Sequence, residues 1–161
     1  LQMSMSRWLM MLNKLLVISL FMFSITVSFF MYGLVNGAGC SYQLTDMVTD
    51  NNRETFLSCY RGKVVALHYH REGDSKILST WKVEGRQLVF GEQVIYLVYN
   101  RKRVQGGVDE NTTDRYNRIS EGYKMLFYKF KFVGNKVYIF QKFPSKKVLT
   151  SDFKGRISLS I

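Results

Sequence analysis

Residues 123–143 read YKMLFYKFKFVGNKVYIFQKF, and this stretch decides the fold class. Large apolar and aromatic residues follow two runs, Tyr123–Val133 and Lys136–Lys142, and Gly134-Asn135 stands between the runs. Alternation with a period of two is typical of a β-strand, and a short link that contains glycine is typical of a tight hairpin. The stretch therefore predicts two antiparallel strands that share a thick apolar face.

The same period-two pattern, rich in β-branched and aromatic residues, extends back to Tyr60. Further strands are predicted at Lys63–Arg71, Lys76–Glu84, Arg86–Phe90, Val94–Arg101 and, more weakly, Arg156–Ile161. Glu72-Gly73-Asp74 and Glu84-Gly85 are predicted to be turns between them. One short helix is predicted over residues 44–57, with Thr45 or Asp46 as its N-cap.

Short strands joined by tight turns make an antiparallel meander. We therefore expect a mainly β domain, either a small antiparallel β-barrel or a two-sheet β-sandwich, preceded by a hydrophobic leader helix. The barrel alternative is similar in architecture to the lipocalin-type binding proteins. The early Gly-x-Trp expected of that family before the first strand is absent, so this likeness concerns architecture only.

The first 39 residues have the order of a secretory leader. Arg7 and Lys14 precede an uncharged run, Leu15–Val35, and the small residues Gly37-Ala38-Gly39 follow. Cleavage is expected before Ala38, or else before Cys40. The run is also close to the roughly 20 residues that cross a membrane, so an uncleaved single-pass anchor with the C-terminal domain outside is the alternative.

The sequence begins with Leu1, and several methionines, Met10 and Met11 among them, are candidate initiators, so residues upstream of these are not necessarily translated. Residues 1–39 are assigned to the leader and residues 40–161 to a single β-rich domain. The whole chain carries 23 basic and 12 acidic residues, a net charge of +11. An exported domain this basic attracts acidic partners such as sulfated glycans or anionic surfaces, although the charge also serves solubility.

Five basic residues are candidates for binding a polyanion: Arg101, Lys102, Arg103, Lys146 and Lys147. The run Arg101-Lys102-Arg103 is equally typical of a charged hairpin tip. Because the domain is exported, no nucleic acid is expected as a partner. A membrane is expected as a partner only if the leader is uncleaved.

Two sequence features agree with export. Cys40 and Cys59 are the only cysteines, and an oxidising compartment favours a disulfide between them. Asn111-Thr112-Thr113 is a glycosylation sequon in a polar stretch, so Asn111 is a candidate glycosylation site.

No catalytic motif stands out, because the sequence lacks the G-x-S-x-G, H-E-x-x-H and P-loop signatures. His68-x-His70 places two imidazoles on one face of a strand, which is half of a zinc site, but the chain has no other histidine. Carboxylates such as Glu72, Asp74 or Glu84 stand at no diagnostic spacing from the pair. We therefore expect no enzyme, no cofactor and no metal site.

The sequence leaves two hypotheses for function. The first is a secreted, non-enzymatic binding protein that captures an apolar small molecule or an extracellular protein or glycan. The alternative is a basic adhesion domain that binds sulfated glycans or anionic surfaces, anchored in the membrane if the leader is retained. The ligand and the oligomeric state cannot be derived from the sequence.

Overall fold

The computed structural model describes residues 2–49, 53–72, 76–106, 123–143 and 146–160 of the 161-residue chain. The chain forms two compact units, Leu1–Gly33 and Leu34–Ile161. The second unit begins six residues before the boundary expected at residues 39 and 40.

The first unit lies within one long helix, α1, which spans Gln2–Ala38. Its large apolar side chains are exposed, among them Leu15, Phe21 and Phe29. The stretch Met10–Ala38 is long and apolar enough to cross a membrane, as an anchor is, and an N-terminal signal sequence has the same properties. The hydroxyls of Ser24 and Thr26 each donate to the backbone carbonyl four residues earlier, so these polar groups are satisfied within the helix.

The second unit is a closed barrel of eight antiparallel strands. The strands are β1 (Ser41–Thr49), β2 (Arg53–Tyr60), β3 (Lys63–Glu72), β4 (Lys76–Phe90), β5 (Gln93–Gly106), β6 (Met125–Val133), β7 (Lys136–Phe143) and β8 (Lys147–Arg156). Each strand pairs with the next, and β8 pairs with β1 to close the barrel. The barrel alternative is therefore correct and the sandwich is not.

The predicted helix over residues 44–57 is wrong, because the described residues of this segment, 44–49 and 53–57, belong to β1 and β2. Leu44 lies opposite Leu57 across the two strands, and both side chains are buried on the inner face of the barrel. The partial helical stripe was a coincidence of spacing. Pairing with β8 on one side and β3 on the other provides the backbone hydrogen bonds that a helix would have provided internally.

Two glycines that gave the same turn signal have different structures. Gly134 adopts the positive φ of 60° that a tight hairpin needs, and it links β6 to β7 as predicted. Gly85 lies inside the continuous strand β4, where the pairing with β5 shifts by one residue at a β-bulge. The turn predicted at Glu84-Gly85 is wrong because glycine is favoured at bulges as well as in turns. The turn predicted at 72–74 includes positions outside the described residues.

The last predicted strand is also misplaced. The eighth strand is Lys147–Arg156, and the described residues after it, 157–160, form no strand. After Arg156 the chain bends, and Ile157 and Ser158 are buried.

The barrel has two unlike ends. At the closed end lie the short turns 61–62, 91–92 and 134–135, together with residues 36–40 and 157–160. At the loop end, the connections β1–β2, β3–β4, β5–β6 and β7–β8 pass outside the described residues. The apolar core lies on the inner wall, with fully buried residues that include Leu44, Val89, Val94, Phe130, Val137 and Ile139.

Candidate binding site inside the barrel

Polar side chains form a connected group on the inner wall of the barrel. The hydroxyl oxygens of Tyr42 on β1 and Tyr96 on β5 lie 2.7 Å apart, and the Tyr42 hydroxyl donates to Oε1 of Gln87 on β4 at 2.6 Å. Nε2 of Gln87 donates to the carbonyl oxygen of Ile157 at 2.7 Å. Gln87 is only 1% exposed, so this network stabilises the interior only because each of these groups has a partner.

A third tyrosine, Tyr128, lies beside this group. The rings of Tyr96 and Tyr128 lie 5.2 Å apart between centroids. Burial raises the pKa of Tyr42 and Tyr96 well above the usual range for tyrosine. Burial raises the pKa of Tyr128 to about 12, and the nearby charge of Arg101 opposes part of that rise. All three therefore present neutral hydroxyls at physiological pH.

The structure divides the predicted basic cluster between two faces of β5. Arg101 pairs in register with Val83, whose side chain is in the core, so Arg101 points to the inner wall. Nε of Arg101 is buried, and its charge acts on the pKa of Tyr128. Lys102 follows on the outer face and is exposed, while Arg103 returns to the inner register at the exposed loop end. The three charges do not form one surface.

The other two predicted basic residues lie at the start of β8. Lys146 precedes the strand and is exposed, whereas Lys147 is its first residue and pairs with Gln141. Two strands, β6 and β7, separate β8 from β5 around the barrel. The strand order therefore does not make these lysines neighbours of the residues 101–103.

The two histidines occupy the inner wall near the loop end. His68 pairs with Thr55, and its Nδ1 lies 2.8 Å from the Thr55 hydroxyl. His70 lies two residues further on the same face, and its buried Nδ1 has no hydrogen-bond partner within the described ranges. Among those residues no three His, Cys, Asp or Glu side chains are grouped as a metal site requires. The side chains of Glu72 and Asp74 lie outside the described part.

Acidic side chains on the strands point away from the interior. The side chains that the structure describes include three acidic ones on strands, those of Glu54, Glu84 and Asp152. The strand register places all three on the outer face of the barrel. Glu84 accepts a hydrogen bond from Asn100 at 2.7 Å and pairs with Lys63 and Lys82 at 3.2 and 3.1 Å. These contacts, the Asn100 bond first, lower the pKa of Glu84 to about 2.

The disulfide is confirmed, and it lies at the closed end. Cys40 and Cys59 are bonded, with their Cα atoms 5.8 Å apart, and both are buried. The bond joins the residue before β1 to the end of β2. Asn111, the predicted glycosylation site, lies outside the described residues.

Sequence reasoning missed the inner polar group because its members lie far apart along the chain. Tyr42 lies in no strand that the sequence predicted, and alternation along the strands that contain Gln87, Tyr96 and Tyr128 did not show that one barrel interior collects these side chains. Only the closed register, in which Gln87 pairs with Tyr96, brings them together.

Comparison with known proteins adds no family to this description. No protein-family model matches the chain. No curated protein is similar to it at a significant level.

Proposed function

We propose that this protein is a non-enzymatic extracellular binding protein that holds one apolar small molecule inside its barrel. An eight-stranded barrel is wide enough to be filled by side chains or to hold one small ligand. The apolar leader and the Cys40–Cys59 disulfide support a location outside the cytosol.

The observation that carries the proposal is the mixed lining of the inner wall, where apolar side chains surround a few polar ones. The closed end is packed with Val89, Val94, Phe130 and other fully buried residues. Further along the barrel the inner wall carries Thr55, Ala66 and Val83, with partly buried Val98 and Leu126, and the larger side chains of His68 and Arg101 lie on the same wall. An apolar wall that holds a few convergent polar groups is typical of a ligand site.

The alternative, adhesion through basic charge, has less support. It needs cationic side chains gathered on one surface, and Arg101 points into the barrel instead. The net charge of +11 remains its basis. Retention on heparin above about 0.5 M salt would favour adhesion, because bulk charge is screened within a few Å at that ionic strength.

Titration with the neutral fluorescent probe N-phenyl-1-naphthylamine tests the proposal directly. We expect saturable binding of one probe per barrel. Val98→Trp should abolish binding, because Val98 lies on the inner wall and the larger ring fills the interior. Tyr99→Trp is the matched control, since Tyr99 is the next residue and is exposed.

Two results would contradict the proposal. One is the absence of saturable binding by a correctly folded, lipid-stripped protein. The other is an equal effect of the two tryptophan variants, which would place the probe on the outer surface of the barrel.

A further inference from the structure

The hydrogen bonds that join Gln87, Tyr42 and Tyr96 have a fixed direction, and that direction specifies the ligand further. We infer that the bound apolar molecule carries one neutral hydroxyl group, which donates a hydrogen bond to the phenolic oxygen of Tyr96. This inference rests on the proposed function, because it assumes that the barrel holds a ligand.

The direction is set at the carbonyl oxygen of Ile157. A carbonyl oxygen can only accept a hydrogen bond, so the Gln87 side-chain atom that lies 2.7 Å from it must be the amide nitrogen. The other end of the amide is then the oxygen Oε1, which lies 2.6 Å from the hydroxyl of Tyr42. The orientation of the Gln87 amide therefore follows from its partners.

The Gln87 oxygen determines where the two tyrosine protons lie. Because Oε1 has no hydrogen to donate, the hydroxyl proton of Tyr42 is used in the bond to it. Tyr42 can then only accept from Tyr96, whose hydroxyl oxygen lies 2.7 Å away. The hydroxyl proton of Tyr96 is therefore also used, and its oxygen presents only lone pairs to a ligand.

Burial keeps both phenols protonated. The pKa of Tyr42 and that of Tyr96 lie well above the usual range, chiefly because burial disfavours the charged phenolate. Each hydroxyl therefore keeps its one proton, and the direction of the bonds does not change, across the physiological pH range.

A neighbouring tyrosine supplies the complementary group. Tyr128 is partly buried on the inner wall, and its ring centroid lies 5.2 Å from that of Tyr96. Within the described ranges its hydroxyl forms no hydrogen bond, so its proton is available to a ligand. A ligand hydroxyl can donate to Tyr96 and accept from Tyr128, whereas an ether, ketone or aldehyde oxygen can only accept.

The apolar part of the ligand has a wall beside these hydroxyls. Leu126 pairs with Tyr96 across β5 and β6, and Val98 is the next inward residue of β5. Both side chains are partly buried and pack against the core. The tail therefore extends from Tyr96 along this wall, where Val98→Trp is expected to block it.

A charged group fits this position less well than a hydroxyl. An ammonium would also donate to Tyr96, but a positive charge among buried apolar residues is costly unless a carboxylate compensates it. In the described part of the chain the acidic strand residues Glu54, Glu84 and Asp152 lie on the outer face. A ligand carboxylate could only accept, and it would repel the Tyr96 oxygen.

Two isomers test the hydroxyl separately from the tail. Decan-1-ol and 1-methoxynonane contain the same atoms, and only the alcohol can donate a hydrogen bond. Each is used to displace N-phenyl-1-naphthylamine from the full chain. We expect the alcohol to bind about tenfold more tightly than the ether, as one buried hydrogen bond provides. Water solvates the alcohol better than the ether, so partition into a merely apolar interior would give the opposite order.

Tyr96→Phe removes the accepting oxygen and should bring the ratio of the two affinities to one or below. Tyr99→Phe is the matched control, since it removes the same hydroxyl from an exposed position of the same strand. It should leave the ratio unchanged. The ratio in the unmodified protein remains a test even if Tyr96→Phe does not fold.

Gln87→Leu tests the direction of the bonds through a residue that the ligand is not expected to touch. Without Oε1, the Tyr42 hydroxyl can donate to Tyr96, and the Tyr96 proton can then turn toward the ligand. The preference for the alcohol over the ether should fall several-fold. A residue that only stabilises the barrel would weaken the binding of both isomers equally.

The outcomes distinguish the inference from the proposed function. Equal affinity for the isomers, or tighter binding of the ether, would overturn the hydroxyl while leaving an apolar site in place. An unchanged ratio in Tyr96→Phe or in Gln87→Leu, or a bound probe that neither isomer displaces, would overturn it as well. If N-phenyl-1-naphthylamine itself does not bind, the proposed function fails, and the inference with it.

Discussion

The closed end and the loop end of the barrel use polar groups in opposite ways. At the closed end, buried Asn36 and Gln87 bond to the backbone of neighbouring segments, and the Cys40–Cys59 disulfide lies beside them. Toward the loop end, Arg101 and the two histidines face the interior, and Nδ1 of His70 lacks a partner within the described part of the chain.

This difference separates stability from binding. Satisfied buried polar groups fix one arrangement of the surrounding segments. Polar groups on the wall of a ligand site instead fix the orientation of the bound molecule. We therefore expect substitutions at the closed end to change the free energy of unfolding, and substitutions on the inner wall near the loop end to change ligand affinity instead.

Among the substitutions at the closed end, the loss of the disulfide should have the largest effect on the free energy of unfolding. Cys59→Ser should lower the free energy of unfolding by about 2–4 kcal/mol, because the bond restricts the unfolded chain and ties residue 40 to β2. Urea denaturation of the non-reduced protein measures this loss. Addition of reductant to the unmodified protein should reproduce it, and two free thiols detected by alkylation of that protein would contradict the disulfide.

Gln87→Leu should have the next largest effect. It leaves the carbonyl oxygen of Ile157 and the hydroxyl of Tyr42 short of a partner, which should cost about 1–3 kcal/mol. Gln93→Leu is the matched control, because Gln93 is only partly buried and donates one bond, to Tyr128 at 2.7 Å. Urea midpoints that fall equally in the two variants would show that the buried network around Gln87 contributes no more to stability than the single bond of Gln93.

Lowering the pH should have the smallest effect on the free energy of unfolding. This effect should arise on the outer face of the barrel rather than at its closed end or its loop end. The folded pKa of Glu84 is about 2, below its unfolded value, so its stabilising contribution is present above the unfolded pKa and is lost as pH falls toward 2. Glu84→Gln should flatten this part of the stability curve, because it removes the contribution present at pH 7 and leaves stability at low pH nearly unaffected. An unchanged acid limb in urea titrations from pH 6 to pH 2 would show that the ion pairs with Lys63 and Lys82 contribute nothing measurable.

The elements that could be predicted from the sequence are those whose signal is local. The hairpin of β6 and β7 follows directly from alternation and from Gly134-Asn135, and the disulfide follows from there being two cysteines. The pair β1 and β2 was not predictable in this way, because its apolar residues also have a partial helical spacing and its strands depend on β8 and β3 for their outer partners. There the local pattern favours a helix and pairing with distant strands favours a sheet, and the pairing determines the structure.

The candidate site follows the same rule. His68 and His70 were recognisable because two residues on one strand share a face. The inward orientation of Arg101 depends on the bulge between Glu84 and Gly85, which sets the register of β4 against β5. A bulge cannot be distinguished from a turn by the glycine alone, so the basic cluster appeared in the sequence as one surface feature.

The pairing of the first strand with the last governs how the barrel assembles. Ser41 lies opposite Arg156, so closure joins residues from the two extremes of the domain. Such distant contacts make folding slow, and until β8 arrives β1 and β7 each present an unpaired strand edge that neighbouring chains can bind. A chain that emerges N-terminus first must therefore keep β1 from aggregating throughout synthesis, and the interval before closure is when this protein is most vulnerable.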